Sequence, residues 1–422
     1  MKYDQFIFES YSFDADTGKC QFNYSFDEKR FFTEKVRFGI NANYDEDTLE
    51  RAIFLAFIVA GISYYKTFAT KRVLIKNRLI NRAQASFFTT LYREGLSQFI
   101  YENNLEPSIL PIFVSDDSQV PTGRYDGEGV LVLQSGGKDS LLLASILEQK
   151  NVSFTPWYLR QSQSSPEVLN SFKNPLRLVH RQLDNKALQQ ATNDGAYNGH
   201  VPVTYITMSY ALIDAILHNE NKVCLAIGQE GEEPHDFIGD YAINHQWSKT
   251  WQAEQLMANY VHDNIAAQIQ IGSPLRPYTE LKITQLFVEN AWDRYGHSFS
   301  SCNLANYKQD HINSQLAWCN DCPKCANSFL LFAAWLDNQE LESVIGQNLY
   351  LKPELAETFK GLLGIDGIIK PFECVGEVSE LRLAYHLSLK RGYEPLPFDV
   401  PVSDSDFENI AQAQAWAKAM LQ

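Results

Sequence analysis

The sequence predicts an α/β protein: a parallel-sheet domain preceded by an α+β domain and followed by a helical C-terminal region. Three observations predict it. The first forty residues alternate with period two, the mark of strands with one buried face. From residue 130 onward, short wholly apolar strands alternate with helical segments, as in a parallel sheet covered on both faces. At residues 129–147 an apolar strand runs through a tight glycine loop directly into a helix.

The elements follow in order. Phe6, Phe8, Tyr11 and Phe13, a turn at Asp14–Gly18, then Cys20, Phe22, Tyr24 and Phe26, and finally Val36, Phe38 and Ile40 read as an antiparallel meander. Asp45-Glu46-Asp47 suit a helix N-terminus and precede the apolar helical segment Leu49–Tyr65. Its most apolar run, Ala52–Tyr65, is shorter than the ~18 residues of a spanning helix and is expected in the core. Lys66, Lys71, Arg72, Lys76, Arg78 and Arg82 have no acid among them and form either a solvated helix face or a phosphate-facing patch. The polar segment Ser115–Glu128 marks a domain boundary, giving domains at 1–118, 125–345 and 346–422. Strands are expected at Val130–Leu133, Phe154–Leu159 and Val223–Ile227, and a helix at Leu141–Leu147.

The segment Ser135-Gly136-Gly137-Lys138-Asp139-Ser140 carries the chemistry. A glycine loop between strand and helix aims free backbone N–H groups and the positive helix end at an anion. Gly136 and Gly137 allow close approach, Ser135 and Ser140 offer hydroxyls, and Lys138 is expected to supply a mobile ammonium. Asp139 would repel phosphate directly, so it is expected to hold the loop or a Mg²⁺. Lys138 precedes an aspartate, which excludes a Walker A loop. The hexapeptide instead resembles the PP-loop of the N-type ATP pyrophosphatases, the adenine nucleotide alpha hydrolase-like fold. That resemblance implies ATP cleaved between its α and β phosphates, with AMP transferred to a substrate oxygen. In open parallel sheets ligands sit beyond the carboxyl ends of the strands. The loop Gly228–Asp236, with Glu230 and His235, should therefore face the same crevice or form a solvated acidic turn.

Of seven cysteines, Cys302, Cys319, Cys322 and Cys325 crowd together, a spacing suited to four thiolates on one ion. A structural Zn²⁺ or an iron–sulfur cluster would fit, and His311 could replace one ligand. Cysteines so placed suit a reducing cytosol better than a disulfide frame. Cys20, Cys224 and Cys374 have apolar neighbours and are expected in the core.

A colinear set of segments spans most of the chain. It comprises Val59–Lys66, Val130–Ser140, Asn198–Val203, Asn244–Lys249, Ser273–Pro277, Ser301-Cys302 with the cysteine trio, and Lys370–Cys374. Together they resemble the MurL-type UDP-N-acetylmuramoyl-L-alanyl-L-glutamate epimerases. The resemblance implies a substrate ending in L-glutamate, whose α-carboxylate is adenylated, inverted and released with AMP and diphosphate in peptidoglycan precursor synthesis. His200, His235, His245 and Lys249 join Lys138 and Asp139 as catalytic candidates, with Cys302 open as an acid/base thiol. His245 and Lys249 would share a face if helical. Arg276, Lys66 and Lys71 are candidates for the phosphates or carboxylates of the substrate, and Tyr64 and Tyr65 for uracil stacking or the core.

Composition limits the alternatives. With 36 Lys plus Arg against 51 Asp plus Glu, the net charge of −15 disfavours broad nucleic-acid coating. It also predicts that cations for an anionic substrate are confined to one crevice: Lys138, Mg²⁺, Arg276 and the Lys66–Arg82 stretch. The N-terminus lacks the apolar core of a signal peptide, so a cytoplasmic protein without a membrane segment is expected. Two rival functions are a PP-loop enzyme modifying a nucleoside or tRNA, and an ATP-binding module that does no chemistry.

Overall fold

The computed structural model describes the chain apart from residues 1, 42, 117–122, 163, 309–310, 313, 404–410 and 422, and the side chains of 308, 311, 312, 411 and 412. The His311 side chain, weighed above as a ligand, lies outside the described residues.

Among the described residues, nine strands form one sheet. β1 (Gln5–Asp14), β2 (Lys19–Phe26) and β3 (Arg30–Arg37) are the expected meander, and β4 (Arg72–Ile75) lies parallel beside β1. The turn after β1 is held by the Asp14 carboxylate, which accepts from the backbone of Asp16 and Thr17. β5 (Val130–Leu133), β6 (Thr155–Arg160), β7 (Arg177–Gln182) and β8 (Lys222–Cys224) follow. After a hairpin, β9 (Asp236–Ile238) and β10 (Tyr241–Ile243), the chain adds β11 (Gln270–Gly272). The order is β11-β8-β5-β6-β7-β3-β2-β1-β4. The five strands from β11 to β7 are parallel neighbours, and β7 meets β3 antiparallel, Val36 opposite Arg181. The sheet thus runs across the boundary expected near residues 118–125, part of which lies outside the described residues.

Successive residues of the parallel strands enter opposite cores. Leu131, Trp157 and Val223 face one cluster, while Val132, Tyr158 and Cys224 face the other. Both faces are covered, which is why these strands lack polar alternation. The first face is covered by α1 (Glu46–Tyr65), α2 (Arg82–Gly95), α3 (Ser97–Glu102) and further on α6. Asp45 caps α1 by accepting from the Thr48 N–H, and the helix is apolar all round because it is enclosed on nearly every side. It is long and apolar enough to cross a membrane, yet sits inside the protein between β1, β2 and α6. The second face carries α4 (Lys138–Gln149). Next come α5 (Asn185–Asn193), α6 (Val203–Leu217), α7 (Trp251–Asn264), α8 (Glu280–Asn290) and the one-turn α9 (Trp292–Tyr295) and α10 (Asn303–Asn306). In the helical C-terminal part, α11 (Pro323–Ala333) and α14 (Val378–Lys390) pack on α8, α12 (Asn338–Ile345) and α13 (Ala356–Leu363) on α11, and α15 (Ala411–Leu421) on β11.

The seam between meander and parallel strands holds a buried ion pair. Arg181 of β7 donates to both carboxylate oxygens of Glu34 on β3, at 2.7 and 3.1 Å, and to Ser63 on α1. Tyr210 of α6 also donates to Glu34.

The basic stretch is not a solvated helix face. It forms the edge strand β4 and its flanks, where Lys76 pairs with Glu9 and Glu28, and Arg78 pairs with Glu50 over the Phe54 ring. Tyr64 and Tyr65 are fully buried among aromatic neighbours, in line with the core reading.

Candidate functional site

At the carboxyl end of β5 the chain turns through Gln134–Gly137 into α4. Gly136 has φ +81°, a backbone conformation that favours glycine, and a Cβ there would also push the end of the Leu316 side chain, 2.7 Å away. The loop braces itself: the Ser135 N–H donates to Ser140 Oγ, the Gly137 N–H to Ser135 Oγ, and Ser140 Oγ to the Gly137 carbonyl. Lys138 departs from expectation. The residue is 4% exposed, and its ammonium donates to Asp139 (2.7 Å) and to the buried Glu280. Burial alone would push its pKa down, but the two carboxylates outweigh that and hold it up. Glu280 is pushed up to about 8, first by burial and then by Asp139, Glu230 and Glu380, against the pull of Lys138.

The loop opens into a cavity of about 600 Å³ at the carboxyl ends of β5 and β8. Ser135, Gly137, Asp139 and Ser140 line one side, and Val203, Thr204 and Thr207 at the start of α6 another. Ser301, Asn303 and Lys324 come from the segment that leads into α11. Three helix N-termini, of α4, α6 and α11, therefore converge on one space and favour anions there. Leu225, Ala226 and Ile227 are cavity wall rather than strand, and Glu230 of the following loop lines the cavity with Lys249 (Glu230 Oε2 to Nζ 3.1 Å). Burial lowers the Lys249 pKa, but Cys374, Glu230 and Glu280 outweigh it, so the side chain is a firm ammonium.

The histidines meet although they come from three segments. The His200 and His245 rings are 4.3 Å apart, and His235, stacked on Phe372, is 6.1 Å from His245. His200 and His245 line the cavity. His245 and Lys249 do not share a helix face. His245 sits in a turn before the single 3-10 turn Trp247–Lys249, yet both side chains reach the same wall. Burial is the main cause of depressed pKa values at all three rings: about 3 for His200, with help from His245 and Lys66; about 3 for His235; about 4 for His245. The imidazoles are neutral at pH 7. An unfolded chain would protonate them below the ordinary 6.5 while the fold resists. Stability is therefore full above pH 6.5 and falls as the pH drops towards 4, by up to about 1.4 kcal/mol per pH unit for each ring. Urea unfolding at pH 7, 6 and 5 should show this, and His200→Gln should reduce the slope by about one proton. An unchanged slope in that variant would contradict the assignment.

The remaining cationic candidates do not line the cavity. Arg276 is fully buried, donating to Glu254, the Gly228 carbonyl (2.6 Å) and the Lys249 carbonyl (2.9 Å). It braces the loop beside the cavity instead of facing a ligand. Lys66 donates to Asn198 Oδ1 and the Gly199 carbonyl, holding the His200 segment, and burial pushes it down to about 8. Lys71 is exposed at the start of the edge strand, away from the cavity. The cavity cations are instead Lys249 and Lys324.

Cys374 was expected in the core, but it is half-buried, lines the cavity and places Sγ 3.7 Å from His245 Nε2. Its neighbours Pro371 and Phe372 gave the apolar appearance; the signal to the contrary was Glu373, which lines the same wall.

Cys302, Cys319, Cys322 and Cys325 have sulfurs within 4.8 Å of one another, with separations of 3.6, 3.7 and 3.8 Å among them. Sulfurs placed about 2.3 Å from a tetrahedral zinc stand about 3.8 Å apart, so the group fits a closed four-thiolate shell. Backbone N–H groups of Ala305 and Asp321 point at Cys302 and Cys319, as suits thiolates. Ser301, Asn303 and Lys324 are sequence neighbours of these cysteines, so a bound metal would fasten the cavity wall.

Comparison with known proteins gives a consistent picture. The description "MurL N-terminal domain" matches residues 1–273, and "MurL C-terminal domain" residues 298–395. A UDP-N-acetyl-alpha-D-muramoyl-L-alanyl-L-glutamate epimerase of Micromonospora sp. is 32% identical over 91% of this chain and 86% of its own length. Epimerases of the same name from Salinispora tropica and Xanthomonas oryzae pv. oryzae are 33% and 30% identical, covering 91% and 90% of this chain and 84% of each relative.

Proposed function

The chain belongs to the MurL family, and we propose that it inverts the terminal L-glutamate of UDP-N-acetylmuramoyl-L-alanyl-L-glutamate to D-glutamate at the expense of ATP. The carrying observation is that one cavity joins the glycine loop Ser135–Ser140 to neutral imidazoles and a firm ammonium. The epimerase-named relatives support the choice of substrate.

The chemistry explains the pairing. The α-proton of a carboxylate is very weakly acidic, because its removal sets a second negative charge beside the first. Transfer of AMP to that carboxylate cancels the charge and lets the carbanion delocalise as an enolate. The loop, read as a PP-loop, would cradle the triphosphate with the N–H groups at the α4 N-terminus and the hydroxyls of Ser135 and Ser140. Asp139 and Glu230 offer carboxylate oxygens at the cavity, which suits Mg²⁺, and the ion would neutralise the phosphates. Lys249, being charged, serves to stabilise the developing enolate oxygen; the neutral His200, His235 and His245 belong to proton transfer. Water attack on the acyl adenylate restores the carboxylate and makes the turnover irreversible. Four thiolates would hold a structural Zn²⁺ that keeps Ser301 and Lys324 in place. We place the enzyme in the cytoplasm, where nucleotide-linked precursors and ATP are available.

Incubation with the L-glutamate precursor, ATP and Mg²⁺ tests the reading. Chiral analysis should find D-glutamate and one AMP per inversion. D-glutamate formed without ATP, or AMP released with glutamate unchanged, would overturn it.

A further inference from the structure

Four side chains stand in a line that ends at the cavity. Gln98 Nε2 donates to Glu102 Oε1 at 2.5 Å, which turns the amide oxygen towards His245. That oxygen is 2.6 Å from His245 Nδ1. An amide oxygen only accepts, so the proton of the neutral ring must lie on Nδ1. Nε2 is then left with its lone pair, and 3.7 Å away, within reach of a sulfur hydrogen bond, stands Cys374 Sγ. The thiol lines the cavity that also holds the glycine loop and Lys249. A buried amide, itself held by the exposed Glu102 carboxylate, is thus arranged to fix which nitrogen faces a cysteine, an arrangement that packing alone does not need.

We propose that Cys374 is the catalytic residue that exchanges a proton with the substrate α-carbon on one of its faces, and that His245, set by Gln98 and Glu102, is the positioning residue that works it. This inference rests on the epimerase reading above. In the removal direction, the thiol proton passes to His245 Nε2, the thiolate so formed offsetting the burial that otherwise keeps the ring neutral, while the Nδ1 proton stays on the ring, hydrogen-bonded to Gln98 Oε1. The thiolate lone pair then takes the α-proton of the acyl adenylate. The C–H bond breaks, an S–H bond forms, and the C–H electron pair moves into the enolate, whose charge settles on the former carbonyl oxygen. Donation runs the same exchange backwards. Net inversion takes one proton away and returns one to the opposite face from a cavity acid, water included. The Lys249 ammonium lines the same cavity as Cys374.

Two measurements test this with separable failures. The first needs no substrate: alkylation of Cys374 by iodoacetamide, followed by mass spectrometry of its peptide across pH 5–9. The native protein should be alkylated at Cys374 at pH 7. His245→Gln should slow the reaction at pH 7 about tenfold and move the midpoint up, and Gln98→Met should move it in the same direction. Identical pH profiles in all three proteins would overturn the role of His245. The second compares the native enzyme with Cys374→Ala on the L-glutamate precursor with ATP. The variant should still form AMP but lose D-glutamate formation at least about a hundredfold. D-glutamate formed at the native rate by Cys374→Ala would overturn the role of Cys374. A native enzyme that makes no D-glutamate would instead refute the epimerase reading, leaving the alkylation result to stand alone.

Discussion

Lys138→Met is expected to reduce AMP formation by about 10²–10³-fold and to lower stability at the same time. The reason differs from the one a phosphate-loop lysine suggests. The ammonium is not part of the cavity lining; it donates to Asp139, which is, and to the buried Glu280. Without it, Asp139 on the cavity wall would lose its counter-charge and oppose an incoming triphosphate. Removing one partner of a buried pair commonly costs about 3–5 kcal/mol. Here Glu280 can take up a proton, since its pKa is already about 8, so the loss should sit at the low end at pH 7. It should grow as the pH rises past 8 and ionisation is forced on an unpaired group. Urea midpoints at pH 6.5 and 9, with AMP release at pH 7.5, check both halves. Native-like AMP formation in a folded Lys138→Met protein would remove the lysine from the account.

Arg181→Met should cost about 3–5 kcal/mol, the largest effect expected from a residue outside the cavity. Glu34 is fully buried, and without Arg181 it keeps only neutral partners such as the hydroxyls of Tyr210 and Tyr64. The pair sits where β3 meets β7, so the loss should lower the unfolding midpoint of the meander and the parallel strands together. The double variant Arg181→Met with Glu34→Gln should recover much of the loss, because the uncompensated charge is gone. A single variant within about 1 kcal/mol of the native protein would mean that the seam is held by the apolar core alone.

That seam also shows where the sequence stops being legible. Period two in β1–β3 told which residues face inward, and the apolar runs of β5 and β8 told that both faces are covered. Neither pattern names a strand's neighbour. The β3–β7 pairing joins residues about 145 positions apart, as in Val36 opposite Arg181, and nothing local encodes it. The glycine loop was readable because backbone conformation and close approach demand particular residues at fixed spacing, and the cysteine cluster because metal geometry does. The rest of the site was legible only as a set of names. Arg276 and Lys66 carried the right charge for a ligand, but their partners, Glu254 and the Asn198–Gly199 backbone, are set by folding. His245 and Lys249 meet at the cavity without the helix that would have explained their spacing. Cys374 was hidden by Pro371 and Phe372, since apolar neighbours in sequence are not apolar surroundings in space.

The central claim is that cleavage of ATP must come before the α-proton is removed, because only the adenylated carboxylate makes that proton acidic enough. Proton NMR of the L-glutamate precursor in heavy water, with the native enzyme and Mg²⁺, addresses this directly. Loss of the glutamate α-proton signal is predicted with ATP, and its full retention with an α,β-methylene analogue that binds but cannot be cleaved between those phosphates. Exchange that proceeds equally with the analogue, or D-glutamate that keeps its original α-proton, would contradict the account.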